Sequence, residues 1–215
     1  MKKTVYIFRH GETDANAQKR MQGWLDVPLN TNGVAQAQAL AQKLAGVKFD
    51  CVYSSPLSRA VDTARAVVGD QQITTNGNLR EWNMGDFCGH IVRLTGNPAD
   101  TPIDMSGDII YAPYALLSND DYVPPNGESY NMFVARVRDA LLDIVKNSDG
   151  NTIAIATHTG VAKNIIKQFT DVKWPRGGMP NAEYFKLEYD GEKFTLIDRP
   201  DWLSPVVMGD DNAIK

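Results

Sequence analysis

The sequence predicts an α/β fold on a mostly parallel sheet, and three observations carry that prediction. Short apolar runs of strand character alternate with stretches of helical period, as residues 5–8 do with residues 33–44. The run Thr152-Ile153-Ala154-Ile155-Ala156-Thr157 shows almost no polar alternation, the pattern of a strand covered on both faces. The first and last of these runs end abruptly in a reactive imidazole, His10 and His158. Reactive groups in open α/β sheets collect at the carboxyl ends of strands, where helix N-termini face the ligand.

Taken in order, residues 5–8 form the first strand, ending in Arg9-His10-Gly11. Residues 14–21 are polar with helical spacing, and residues 26–32 read as a turn. Thr31 is placed to cap a helix over residues 33–44, whose Val34, Ala37, Leu40, Ala41 and Leu44 share one face, with Gly46 as its stop. Residues 51–54 form a second strand. The serines and proline of Ser55-Pro56-Leu57-Ser58 suit a new helix N-terminus, with Arg59 in its first turn. A cation there opposes the helix dipole, and a bound phosphate would supply the missing reason. Residues 73–75 are a weak third strand, and residues 79–85 a loop carrying Glu81.

Between residues 90 and 126 the periodicity dissolves into prolines, glycines and scattered apolar residues, which predicts a lid-like insertion over the site. Glu128 opens a helix that buries Phe133, Val137, Leu141 and Ile144. After Thr152–Thr157 come a helix over residues 161–169 and a hairpin turning at Asp190-Gly191. With 215 residues and no internal repeat, one domain over residues 1–215 is expected, interrupted only by the insertion at about 90–126.

Composition narrows the function. A hydrophobic share of 43% with 22% charged residues is ordinary for a soluble globular protein, and no apolar run approaches a membrane span. The apolar stretch after Lys2-Lys3 is broken at Arg9, too early for a signal sequence, so a cytoplasmic location is expected. Cys51 and Cys88 lack metal-ligand spacing and read as reduced structural thiols. A net charge of −4 with no basic stripe argues against nucleic acid as a partner.

Four groups recur beyond strand ends: Arg9-His10, Arg59, Glu81 and His158. Cleaving a phosphate monoester requires positive charge around the equatorial oxygens and a proton for the leaving alkoxide. Arg9, Arg59 and His158 supply the first, and Glu81 the second. His10 qualifies as a nucleophile if a backbone carbonyl accepts a hydrogen bond from its other ring nitrogen. His90 stands beside no other reactive residue and reads as a surface or packing histidine. Glu12 would repel a dianion and is assigned to capping or orientation. Arg65 and Arg80 read as solvated, with Arg80 within reach of the rim, while Trp24 and Trp82 suit packing as well as substrate contact.

The segment Arg9-His10-Gly11-Glu12-Thr13, then Asn16, then Gln22-Gly23-Trp24-Leu25-Asp26-Val27-Pro28-Leu29 resembles the opening of the histidine phosphatase superfamily, also called the phosphoglycerate mutase-like family. Ser54-Ser55-Pro56-Leu57-Ser58-Arg59-Ala60 resembles its second motif, and Gly127-Glu128-Ser129 with Arg136-Val137 its later helix. The resemblance runs from about residue 4 to about residue 198. It implies a three-layer α/β/α sandwich with a mostly parallel sheet, no metal and no cofactor. It also implies a transient phosphohistidine on His10, a phosphoryl group held by Arg9, Arg59 and His158, and proton transfer by Glu81. Asn16, Gln22 and Gly23 match substrate or phosphate contacts, and Thr159 adds the pocket's last wall.

Several positions depart from the family pattern. Cys88 stands where glutamate is frequent, Thr159 where glycine is usual, and Met84 replaces the tyrosine of true mutases. Arg93 is the only arginine of the insertion, which has no lysine, so a clamp for a phosphoglycerate carboxylate is missing from the lid. The phosphatase branch is therefore expected over the mutase. The expected reaction is hydrolysis of a small phosphorylated metabolite, with phosphoglycerate mutase as the alternative and a silent phospho-ligand binding module as the remote one. Ile109, Tyr111, Tyr114 and Leu117 suggest a nonpolar or aromatic part in the substrate. A homodimer is compatible with this reading.

Overall fold

The computed structural model describes residues 2–96, 103–175 and 178–203. Its centre is a six-stranded sheet of β1 (Lys3–Arg9), β2 (Cys51–Ser54), β3 (Thr74–Thr75), β6 (Thr152–Thr157), β7 (Tyr184–Tyr189) and β8 (Phe194–Ile197), in the order β3-β2-β6-β1-β7-β8. The first four run parallel, and the β7–β8 hairpin joins antiparallel to β1. Helices cover both faces, giving the α/β/α sandwich. Val5, Ile7, Ile153, Ile155, Phe185 and Leu187 pack on one side against α5 (Tyr130–Asn147) and α6 (Thr159–Phe169). Phe8, Val52, Ala154 and Ala156 pack on the other against α2 (Thr31–Leu44) and α3 (Ser58–Val68). Burial from both sides is why β6 reads as an unbroken apolar run: its isoleucines fill the first interface and its alanines let α2 and α3 approach the second.

Several local expectations change. Asn30, not Thr31, caps α2, its side chain accepting from Gly33 N at 2.8 Å. Val34 is exposed, and the buried place at the start of that face belongs to Gly33. A Cβ on Gly33 would lie 2.0 Å from the Glu12 carbonyl and one on Gly11 would lie 2.4 Å from the Gly33 carbonyl, so the turn after β1 rests backbone to backbone on α2. The helix expected over residues 14–21 is a single turn, α1 (Asp14–Ala17), because Lys19 takes a positive φ of 58°. No serine side chain caps α3; Asp26 reaches across to accept from Ser58 N at 2.7 Å. Helix α5 starts at Tyr130 with Ser129 as its cap, which frees Glu128 for another task.

The insertion is more regular than its sequence suggests. Two strands, β4 (Ile91–Thr95) and β5 (Ile109–Pro113), pair in parallel, and a short helix α4 (Tyr114–Leu117) follows. Each strand is five residues long, and β5 buries Ile110 and Ala112 on either side of the exposed Tyr111, which is too short an alternation to stand out among prolines. Pro98 and Pro102 lie outside the described residues. Among the described residues no helix is long and apolar enough to cross a membrane.

Candidate functional site

Sheet register brings the reactive residues together. Arg9 is level with Thr157 and Ser54 with Ala156, so His10, Ser55 and His158 leave three adjacent strands at one edge. His10 N donates to Thr157 O and Ser55 N to Ala156 O, each at 3.0 Å, which carries the sheet one residue beyond its strands. The two imidazoles meet there, ring centroids 5.1 Å apart and both buried.

His10 Nδ1 lies 2.6 Å from the Gly11 carbonyl. A carbonyl can only accept, so the ring proton sits on Nδ1 and Nε2 keeps its lone pair. Burial, together with Arg9 and Arg59, holds this imidazole well below its usual pKa, so it stays neutral at neutral pH. His158 is held down in the same way, by burial first and then by Arg59, His10 and Arg9. Its Nε2 lies 2.8 Å from Ser55 Oγ, and its buried Nδ1 has no partner among the described residues.

Two guanidiniums flank the imidazoles. The Arg9 Nη1 donates to Met179 O at 2.5 Å, and burial with the neighbouring Arg59 pushes its pKa down to about 10, against the pull of Glu81. Arg59 is fully buried, and burial lowers its pKa as well. Both remain cations at neutral pH. Arg59 donates to Leu25 O at 2.7 Å and Gly23 O at 2.9 Å, fastening the loop that carries Gln22 to the site. The Nε atoms of both arginines and Nδ1 of His158 are buried polar atoms without a partner among the described residues. An oxyanion suits such a donor set.

Glu81 stands across the cleft, half-buried. Its Oε1 accepts from Trp82 N and its Oε2 from Gly160 N, both at 2.9 Å. The loop behind it is pinned by Arg136, which donates to Glu81 O at 2.7 Å, Arg80 O at 2.8 Å and Asn78 O at 2.9 Å. Arg136 in turn forms a bidentate, mostly buried ion pair with Glu128, whose carboxylate also accepts from Asn83 N at 2.8 Å. The match of Glu128 and Arg136 to a family motif thus acquires a physical meaning: the pair fixes the loop that carries Glu81.

These residues bound a cleft of about 370 Å³ lined by Arg9, His10, Asn16, Gln22, Gly23, Arg59, Glu81 and Thr159. His158 lies beneath it, fully buried. Asn16 closes a capping box with Thr13, whose hydroxyl lies 2.9 Å from Gln22 Oε1. Glu12 turns away from the cleft to accept from Asn30 at 3.0 Å, and His90 lies outside it beside Gly107 O. Arg80 stacks over Trp24, whose indole donates to Glu81 O at 2.8 Å, and Arg65 closes the end of α3. Cys88 packs at Gly23 away from the opening, its thiol pushed up by burial.

The apolar wall differs from expectation. Tyr111 and Tyr114 are 54% and 61% exposed, and no described residue of the insertion lines the cleft. Met21, Trp82, Met84 and Trp174 form that wall, with the insertion's Ile110 packed behind Met84. Sequence reasoning also missed Arg20, Gly160 and Lys163 in the lining, Ser55 beneath His158, and Asn181, which donates to His10 O at 3.1 Å. Among the described residues no group of three or more His, Cys, Asp or Glu is disposed to hold a metal ion.

Comparison with known proteins gives a consistent result. The model of the histidine phosphatase superfamily (branch 1) matches residues 5–201. Phosphoglycerate mutase-like protein 4 of Arabidopsis thaliana is 31% identical over 89% of this chain and 82% of its own. A metal-independent phosphoserine phosphatase of the same plant is 31% identical over 89% of this chain and 79% of its own. Among solved structures, a mycobacterial glucosyl-3-phosphoglycerate phosphatase in complex with VO3 superposes with a TM-score of 0.69 at 26% identity, covering 91% of this chain and 97% of that one.

Proposed function

We propose, from the premise that the chain belongs to the histidine phosphatase superfamily, that it is a phosphomonoesterase which hydrolyses a small phosphorylated metabolite through a phosphohistidine on His10. The observation that carries this reading is the hydrogen bond from His10 Nδ1 to Gly11 O, which leaves Nε2 unprotonated beside the fully buried Arg59 and the half-buried Arg9. In the first half-reaction Nε2 attacks phosphorus as the ester P–O bond breaks. Arg9, Arg59 and His158 meet the charge on the equatorial oxygens, and Glu81 passes its proton to the departing alkoxide. In the second, ionised Glu81 takes a proton from water, which attacks phosphorus, frees His10 and releases inorganic phosphate.

Positive charge for the transition state comes from side chains, which supports metal independence, as does the name of one plant relative. Two free, half-buried thiols, Cys51 and Cys88, support a reducing compartment such as the cytoplasm. The test is phosphate release from a panel of phosphate monoesters, with and without chelator, by the wild type and by His10→Ala. Chelator-resistant release that vanishes in the variant is the expected result. Isomerisation of a phosphoglycerate without phosphate release would make the protein a mutase, and silence across the panel would make it a binding module.

A further inference from the structure

We propose that the catalytic cleft continues into an anion-binding subsite on α6, and that the preferred substrates are phosphate monoesters bearing a second anionic group at the far end of the leaving group. This rests on the phosphomonoesterase reading and adds the substrate class. Lys163 and Trp174 line the catalytic cleft, and the same two residues line a neighbouring hollow of about 650 Å³. The two spaces therefore meet at that ammonium and that indole. Beyond them the hollow adds Lys167 and Lys173, and among the described residues its one carboxylate is Asp171.

None of the three lysines belongs to an ion pair among the described residues, although six such pairs form elsewhere. Lys163 and Lys167 are exposed on one face of α6, one and two turns beyond Thr159. Each step of four residues advances about 6 Å along the axis, so positive charge continues outward from the phosphoryl end of the cleft. An ammonium on a flexible stem suits a carboxylate or a second phosphate equally. The insertion supplies no cation to this path; its only described contact with a cleft arginine is the ion pair of Asp108 with Arg20.

The experiment uses three matched series of phosphate esters on the same unbranched chains: ω-carboxylates, ω-phosphates and plain alkyl phosphates. The wild type is expected to show at least a tenfold higher kcat/KM for one charged series over the alkyl series, within a window of chain lengths. Lys163→Gln is expected to abolish most of that preference, Lys167→Gln to shift the window to shorter chains, and Lys163→Arg to retain the preference. The charged series that gains identifies the second anion as carboxylate or phosphate. Equal kcat/KM for charged and neutral esters in the wild type, or an equal loss on both with Lys163→Gln, overturns the subsite while leaving the phosphomonoesterase reading intact. Failure to hydrolyse any ester overturns both.

Discussion

Replacing Gly160 by alanine should separate proton donation from every other function of the cleft. Gly160 is the second residue of α6, and its N–H holds one oxygen of Glu81 at 2.9 Å. A Cβ at this position would lie 2.0 Å from Glu81 Oε1, whereas ordinary contact begins at 3.4 Å, so the carboxylate must retreat by about 1.4 Å. The obstructing atom ends a half-buried, flexible side chain, so the acid moves and the fold does not. Alanine is the better helix former by up to about 1 kcal/mol, so the melting temperature should hold or rise. Displacing a catalytic group by about 1 Å costs roughly 10²-fold, or about 2.7 kcal/mol of barrier. The assay compares kcat/KM, which reports the first half-reaction, for an alkyl phosphate and for p-nitrophenyl phosphate. The alkyl ester needs its leaving group protonated and should lose about 10²-fold; the nitrophenolate does not and should lose less than about fivefold. Equal losses on both esters, or retention of alkyl phosphatase activity, would refute Glu81 as the proton donor.

Two further outcomes follow from buried ionisable groups. Arg136→Met leaves Glu128 buried without its partner and removes three donors from the Glu81 loop, so urea denaturation should show a loss of about 3–5 kcal/mol. A loss below about 1 kcal/mol would show that the pair does not hold the loop. His10 and His158 have folded-state pKa values depressed below the ordinary 6.5, so the unfolded chain takes up protons first as the medium is acidified. Their neutral burial therefore costs no stability above about pH 6.5 and removes about 1.4 kcal/mol per pH unit per histidine as pH falls below that value. Denaturation curves between pH 7.5 and 5 should show that slope, and a His10→Asn/His158→Asn double variant should flatten it; an unchanged slope in the variant would contradict the assignment.

Much of the frame was legible because two-sided burial leaves a mark in sequence. The unbroken run of β6, the alternation of β7 and the apolar face of α5 each follow from which faces are covered. His10, Arg59, Glu81 and His158 were legible because reactive groups beyond strand ends converge once the strands are parallel and adjacent. What escaped was whatever depends on distant backbone. Asn30 caps α2 and Asp26 closes the start of α3 across thirty-two residues of chain, where local propensity pointed to Thr31 and to nearby serines. The cations of the cleft rim were sought in the insertion, whereas Lys163 comes from α6, one turn beyond Thr159, and Arg20 from beyond α1. The apolar wall was assigned to Ile109, Tyr111, Tyr114 and Leu117, none of which lines the cleft, since a five-residue strand and a single helical turn are too short for a period to show which face is covered.

The most direct measurement is to stop turnover in alkali, where a phosphoramidate survives, and to map the phosphoryl group by mass spectrometry of the digested protein. The account predicts phosphate on the peptide containing His10, at the ring nitrogen Nε2, appearing within one turnover and disappearing as substrate is exhausted. A label on Ser55, on His158 or on no residue at all during steady hydrolysis would contradict it.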